Sequence, residues 1–270
     1  MRILALEPYY GGSHRHFLDG WVRHSRHDWT VLTLPPYKWK WRMRHSGVTF
    51  AAEIERRRTQ GRGWDLLFCS DMVSLAELRG LLPTTLARLP SVLYFHENQL
   101  TYPVRVEKER DFQFGMTNIV SALAADAVWF NSRFHRDDFL EAIPPFLNRM
   151  PDHRPLDSVE RIRGVAEIHP PGVACVPPRR GDRDRGPLRI LWAARWEHDK
   201  NPECFFEAAA RLKHADVPFR LSVLGESFEE SPEVFDWAQS EFHRQIDLWG
   251  YQRQRADYQR ALFRADVFVS

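Results

Sequence analysis

The sequence predicts an α/β protein of two units, each a parallel sheet covered by helices, with the second unit shorter than the first. Three observations carry this. Short, unbroken apolar runs recur along the chain, as in strands buried on both faces. Segments with helical spacing alternate with them. The alternation fails once, across residues 144–187, and then restarts.

Taken in order, residues 2–6 form an apolar strand that stops at Glu7-Pro8, and Gly11-Gly12-Ser13 leads into a helix for which Ser13 is a suitable N-cap. Residues 29–34 return to strand character, 51–58 read as helix and 65–69 as strand. Residues 75–82 are helical, and 91–95 form another apolar strand that ends at His96-Glu97-Asn98. A helix over 115–125, a strand over 127–130 and a helix over 132–142, capped by Ser132, complete the first unit. Proline, arginine, aspartate and glycine dominate VPPRRGDRDRGP at 176–187, the composition of an exposed linker. The pattern then resumes with strands at 188–193, 219–224, 246–249 and 266–270. Helices fall at 202–212 (with Asn201 as cap), 232–242 and 258–263. The expected domains are 1–170 and 188–270, joined by a hinge at 171–187. The second has about half the elements of the first and ends within a strand, so we expect it to be incomplete.

A hydrophobic fraction of 43% with 27% charged residues supplies a core for 270 residues, and a net charge of +2 leaves any nucleic-acid contact to a local patch. Three scattered cysteines suggest a reducing compartment. The short apolar start and the lack of a long apolar run argue against a signal peptide or a membrane span and place the protein in the cytoplasm. No cluster has metal-ligand spacing, so no metal is expected.

Ligands of open parallel sheets gather beyond the carboxyl ends of the strands, and three segments fall there. In Tyr9-Tyr10-Gly11-Gly12-Ser13-His14, paired glycines and a helix N-terminus can receive an anion, or the glycines serve only a positive φ. In FHENQLTYP (95–103), four polar residues, His96, Glu97, Asn98 and Gln99, follow an apolar strand. His96 either meets a sugar hydroxyl or a proton, or is a satisfied structural histidine. In AARWEHDKNP (193–202), Arg195 and Lys200 can converge on a diphosphate, or pair with Glu197 and Asp199 as surface bridges.

Two such strand ends in two Rossmann-like domains resemble the GT-B fold of retaining nucleotide-sugar glycosyltransferases. Arg195 and Lys200 resemble that superfamily's diphosphate-holding pair, Gly11-Gly12 its first loop, and His96 its first-domain histidine. VLGE (223–226), with Gly225, resembles a donor-binding strand end. LWGY (248–251) is similar to the segment before the donor-base helix, and IHPPGV (168–173) to the crossover. More narrowly, LEPYYGGSH (6–14), KWKWRMR (38–44), FHENQLTYP, NSRFHRDDF (131–139) and RWEHDKNP (195–202) together resemble the tRNA-queuosine mannosyltransferase family. The resemblance implies GDP-mannose as donor, queuosine in a tRNA anticodon loop as acceptor, and no cofactor beyond the nucleotide sugar. It also implies donor contacts from Gly11, Gly12, Ser13, Arg195, Lys200 and Gly225, with His96 at the sugar. The superfamily's paired glutamates have no match here; ESFEESPE (226–233) precedes the last strand.

The segment Lys38-Trp39-Lys40-Trp41-Arg42-Met43-Arg44 alternates cations with large apolar groups. Read as extended, it puts Lys38, Lys40, Arg42 and Arg44 on one side and Trp39, Trp41 and Met43 on the other, whereas as a helix it would mix the two chemistries around the axis. Cations meeting phosphates, indoles stacking on bases, and a strand that buries its tryptophans all fit this pattern. With Asn98 and Gln99 it is the expected RNA-binding surface, and Arg56-Arg57-Arg58 extends the patch or forms a solvated helix face. Two rival functions stay open: a glycosyltransferase with another nucleotide sugar and a polysaccharide, lipid or small acceptor, and a non-catalytic RNA-binding module.

Overall fold

A computed structural model describes residues 1–104, 110–173, 183, 185–227 and 231–269. The chain divides into two compact units, residues 1–102 with 108–174 and residues 103–107 with 175–270. Most of the expected hinge, 174–182 and 184, lies outside the described residues, as do Cys175, part of 226–233 and Ser270.

The first unit runs β1 (Arg2–Glu7), α1 (Gly12–His24), β2 (Asp28–Thr33), α2 (Trp39–Thr59), β3 (Leu66–Ser70), α3 (Leu75–Leu81), α4 (Thr84–Ala87) and β4 (Ser91–Phe95). It continues with α5 (Phe112–Ala124), β5 (Ala127–Phe130), α6 (Arg133–Leu147), α7 (Ser158–Arg163) and β6 (Ala166–Ile168). All strand pairs are parallel, in the order β2-β1-β3-β4-β5-β6. Alternate residues of the apolar strands serve opposite faces. Leu4, Leu6, Leu93 and Phe95 pack with residues of α2, α3, α5 and α6, while Ile3, Ala5, Val92 and Tyr94 pack against α1. Because β1 lies between β2 and β3, the chain reverses direction across the sheet there, and the carboxyl ends of β1 and β3 are where an open sheet of this kind places its crevice.

The second unit runs β7 (Leu188–Ala193), a 3-10 turn (His198–Lys200), α8 (Pro202–His214), β8 (Phe219–Leu224), α9 (Val234–Glu241), β9 (Ile246–Trp249), α10 (Arg255–Arg264) and β10 (Val267–Val269). Its parallel sheet has the order β10-β7-β8-β9. Large aromatic groups fill its core; the Trp196 and Phe235 rings stack 4.3 Å apart.

Four sequence expectations need correction. Residues 39–44 are helical, forming the first turns of α2. Period two is absent because Met43, Ser46, Phe50 and Ile54 fall at helical spacing and are buried, so packing overrides the local alternation. Ser13 is not the cap of α1. Gly11 holds that position with extended backbone, and Ser13 is exposed in the first turn. α6 continues through Pro144 and Pro145 to Leu147 because Phe146 and Leu147 enter the core. Finally, α7 and β6 lie inside the stretch expected to be irregular; β6 is a three-residue edge strand, too short to show a period. Asn201 precedes α8 in a left-handed conformation, and its side chain makes no capping bond.

Candidate active site

The crevice at the carboxyl end of the first sheet is built around Glu7, the last residue of β1, which is 3% exposed. Burying a carboxylate is costly unless it is paired. Glu7 Oε1 accepts the Tyr9 amide at 2.9 Å, and Oε2 accepts from His14 Nδ1 at 3.1 Å. His14 lies in the first turn of α1, which β1 launches through the turn at Tyr9–Gly12. Gly12 is required by its φ of +50, and Gly11 by space, since a Cβ there would lie 2.5 Å from the Pro36 ring.

His96 follows β4, and its ring lies 4.0 Å from that of His14 at an interplanar angle of 31°. Its Nε2 is 4.0 Å from Glu7 Oε2. The His96 amide donates to Asp71 Oδ1 at 2.9 Å, and its carbonyl accepts from Asn131 Nδ2 at 2.8 Å. Asp71, directly after β3, is fully buried, and its Oδ2 has no partner among the described residues. Asn118 on α5 ties the crevice together, donating to the Asp71 carbonyl at 3.1 Å and accepting the Gln99 amide at 2.8 Å.

This burial separates the ionisation of neighbouring groups. Burial disfavours the charged form of His14, but the Glu7 hydrogen bond and the charges of Glu7, Asp71 and Glu97 outweigh it and raise His14 to about 9. Burial, with the nearby charges of His14 and His135, holds His96 well below the ordinary histidine range. Burial also pushes Asp71 up to about 8. Atoms of Glu7, His14 and His96 all lie within 4.8 Å of one another, near enough to share a cation. The Glu7–His14 hydrogen bond engages two of those atoms, so the arrangement is a paired carboxylate and imidazole with a second imidazole stacked upon them.

Only part of the expected RNA-binding surface remains available. Asn98 is buried and committed to its own turn: Oδ1 accepts from the Leu100 and Thr101 amides, both at 3.0 Å. Gln99 is also buried, its side chain donating to Glu97 at 3.4 Å. In α2, Arg42 is 7% exposed; it donates to the Pro35 carbonyl at 3.1 Å and lies over the Tyr37 ring. Trp39 packs on Phe114. Lys38, Lys40 and Arg44 are exposed, and Trp41 is 61% exposed, with Arg44 3.6 Å from Glu77. Arg56, Arg57 and Arg58 pair with Glu53 and Glu55, as on a solvated helix face. Tyr9 joins Trp39 and Met43 in one apolar cluster, so the start of α2 borders the Glu7 crevice.

In the second unit, Arg195 and Lys200 follow β7. Arg195 makes a two-pronged contact with Glu197 at 3.2 and 3.1 Å, and Lys200 Nζ donates to Asp199 at 2.7 Å. Both pairings are local. Gly225 follows β8, where a Cβ would come within 1.8 Å of the Ala194 carbonyl. The bare glycine thus lets the ends of β7 and β8 close up beside Arg195.

Sequence reasoning missed Glu7, His14 and Asp71 as site residues. A carboxylate ending an otherwise apolar strand was the available signal for Glu7. Asp71 gave none, because only strand order brings it beside His96.

Comparison with known proteins follows the same lines. The tRNA-queuosine alpha-mannosyltransferase N-terminal family matches residues 2–173. The tRNA-queuosine alpha-mannosyltransferase of Drosophila melanogaster is 37% identical over 279 residues, covering 99% of this chain and 72% of the relative. Among solved structures, the apo form of the lipopolysaccharide outer core galactosyltransferase WaaB matches with a TM-score of 0.56 at 11% identity, over 99% of this chain and 73% of that one. An E. coli structure described as trehalose-6-phosphate bound with UDP-2-fluoro glucose gives 0.59 at 10%, over 99% and 77%. At such identities the likeness concerns the fold alone, and that fold is GT-B.

Proposed function

Since the chain belongs to the tRNA-queuosine alpha-mannosyltransferase family, we propose that it moves mannose from GDP-mannose to queuosine in a tRNA anticodon loop, with retention at the anomeric carbon. The observation that carries this reading is 37% identity to the Drosophila melanogaster enzyme across 99% of the chain. Its partners are a nucleotide sugar and tRNA, its place of work is the cytoplasm, and no cofactor takes part. Among the described residues, no helix is long and apolar enough to cross a membrane.

The largest electrostatic demand of the step is the charge that develops on the departing diphosphate. Arg195 and Lys200 meet it. Their bonds to Glu197 and Asp199 are surface pairs of little worth, so exchange for a doubly charged ligand favours the diphosphate. Gly225 leaves room for close backbone approach. The amide of Gly12 and the hydroxyl of Ser13 lie at the positive end of α1 and add to donor binding, whereas the Gly11 amide donates to the Tyr9 carbonyl at 2.9 Å. His96, a neutral imidazole in this environment, contacts a hydroxyl of the transferred sugar. Lys38, Lys40, Arg44 and Trp41 hold the RNA, while Trp39 and Arg42 anchor the helix that presents them.

The test incubates the chain with GDP-mannose and queuosine-containing tRNA and follows the nucleoside by mass spectrometry. A hexose mass increase on queuosine is expected. Labelling of a saccharide, lipid or small acceptor with none on queuosine would transfer the assignment to a different acceptor class. Salt-sensitive RNA binding with no nucleotide-sugar binding would mark a non-catalytic module.

A further inference from the structure

The pairing of Glu7 with His14 has no part in the chemistry described so far, yet both groups are buried in the crevice. A core that merely needed filling would place apolar groups here, since a buried ion pair is on average no more stabilising than well-packed apolar residues. What the pair touches is His96.

We propose that Glu7 is a positioning residue for His96, acting through His14. The carboxylate keeps one imidazole charged, and that charge keeps the stacked second imidazole neutral, with a nitrogen lone pair offered to a sugar hydroxyl. The inference rests on the mannosyltransferase reading only for the identity of that hydroxyl.

The geometry carries it. Two imidazoles with centroids 4.0 Å apart cannot both hold a proton cheaply. The proton goes to the ring that touches the carboxylate, and Glu7 Oε2 is 3.1 Å from His14 Nδ1 but 4.0 Å from His96 Nε2. The surroundings are asymmetric in the same sense. His96 faces Glu7 from β1, His14 from α1, Asp71 after β3, Tyr94 in β4 and His135 from α6, with Glu97 next in sequence. Asp71 meets His96 through the backbone amide, so it fixes the residue without pairing with its ring. The edge of Phe17 closes one side at 5.0 Å. The His96 side chain nevertheless keeps 13% of its surface exposed, enough for a hydroxyl to reach it. The raised His14 and lowered His96 agree with this division of charge.

The first measurement needs no variant. Imidazole nitrogen and carbon resonances of the unaltered chain, followed through a pH titration, should show His14 protonated at pH 7.5 and His96 neutral. The second uses Glu7→Gln, which keeps the shape and the Tyr9 bond while removing the charge. His14 should then lose its proton at neutral pH, and His96, relieved of a positive neighbour, should gain one at higher pH than before. The acid limb of the kcat/KM profile for hexosyl transfer should move upward, with a loss of about tenfold at pH 6 against the unaltered chain. His14→Phe, which keeps a stacked ring without charge, should move the limb in the same direction.

The outcomes separate the two claims. A charged His14 beside a neutral His96 without any hexosyl transfer would uphold the pairing and remove the sugar hydroxyl with the functional reading. Transfer with an unmoved acid limb in Glu7→Gln, or His14 titrating as an ordinary histidine in the unaltered chain, would overturn the pairing. Stoichiometric uptake of zinc with perturbed His14 and His96 resonances would also overturn it, in favour of a metal site.

Discussion

The two units present functional side chains at the same place, beyond the carboxyl ends of parallel strands, in opposite environments. In the first unit Glu7, His14 and Asp71 are buried and His96 nearly so, and the ionisation of His14 and Asp71 is set by burial and by the charges packed beside them. In the second, Arg195 and Lys200 are exposed and pair with carboxylates one or two residues away. Low dielectric makes the first set an interdependent group in which one change alters every member. Solvent leaves the second as separate, replaceable charges. A ligand with its own charge can displace such surface pairs at small cost, whereas the buried cluster is arranged before any ligand arrives.

Substitutions can break or sharpen this contrast. The largest effect is expected at Gly225→Ala. The added Cβ would meet the Ala194 carbonyl at 1.8 Å and the Trp196 ring at 2.8 Å, a clash with backbone that no rotamer relieves. A loss of about 3 kcal/mol or more in denaturant unfolding of the second unit is expected. An unchanged midpoint would mean that this strand end is as loose as the side chains beside it.

Next comes pH. His14 is raised from 6.5 to about 9, so the stability it contributes is complete below pH 6.5 and lost as pH rises through 9. Asp71 is raised from 3.8 to about 8, so its contribution has the same sign, complete below 3.8 and lost through 8. Between pH 7 and 9 unfolding free energy should therefore fall, by about 2 kcal/mol for His14 alone, whereas below pH 6.5 the lowered His96 and His135 oppose the trend. Denaturant titrations at pH 5, 7 and 9 check this, and His14→Phe should flatten the slope. A flat profile in the unaltered chain would show that the cluster is not coupled.

Within α2 the contrast recurs between neighbouring residues. Arg42→Ala removes a buried guanidinium that serves Pro35 and His45 and should cost about 2 kcal/mol. Lys40→Ala should stay within about 0.5 kcal/mol and instead weaken tRNA binding, reducing its salt dependence by about one charge. Equal loss of stability in both would erase the division between anchor and contact. Small in stability as well are Arg195→Ala and Lys200→Ala, each below about 1 kcal/mol. Donor affinity by calorimetry should nonetheless fall about tenfold, the worth of a charge-assisted hydrogen bond.

Much of this architecture is legible in the chain. Apolar strands such as Ser91–Phe95 and Leu188–Ala193 match their expected bounds because strands buried on both faces leave an unbroken apolar run. Ser132 caps α6 as expected, accepting the His135 amide at 3.1 Å. The cationic ribbon was misread because Lys38–Arg44 alternates for only seven residues, whereas the helix is decided by Phe50 and Ile54, which lie beyond it. Asn98 and Gln99 looked like contacts because polarity at a strand end reads the same whether a side chain faces a ligand or closes a turn.

What the sequence determined by itself was the alternation of elements and the rim on which polar residues collect. Both depend on local composition. Which of those residues form a site was decided by tertiary structure. Strand order β2-β1-β3-β4 sets Glu7, Asp71 and His96 at one crevice, and α1 folds His14 back onto it. Burial then assigns the protons, because the energy of a charge depends on the neighbours and water around it, and neither is a property of the chain read residue by residue.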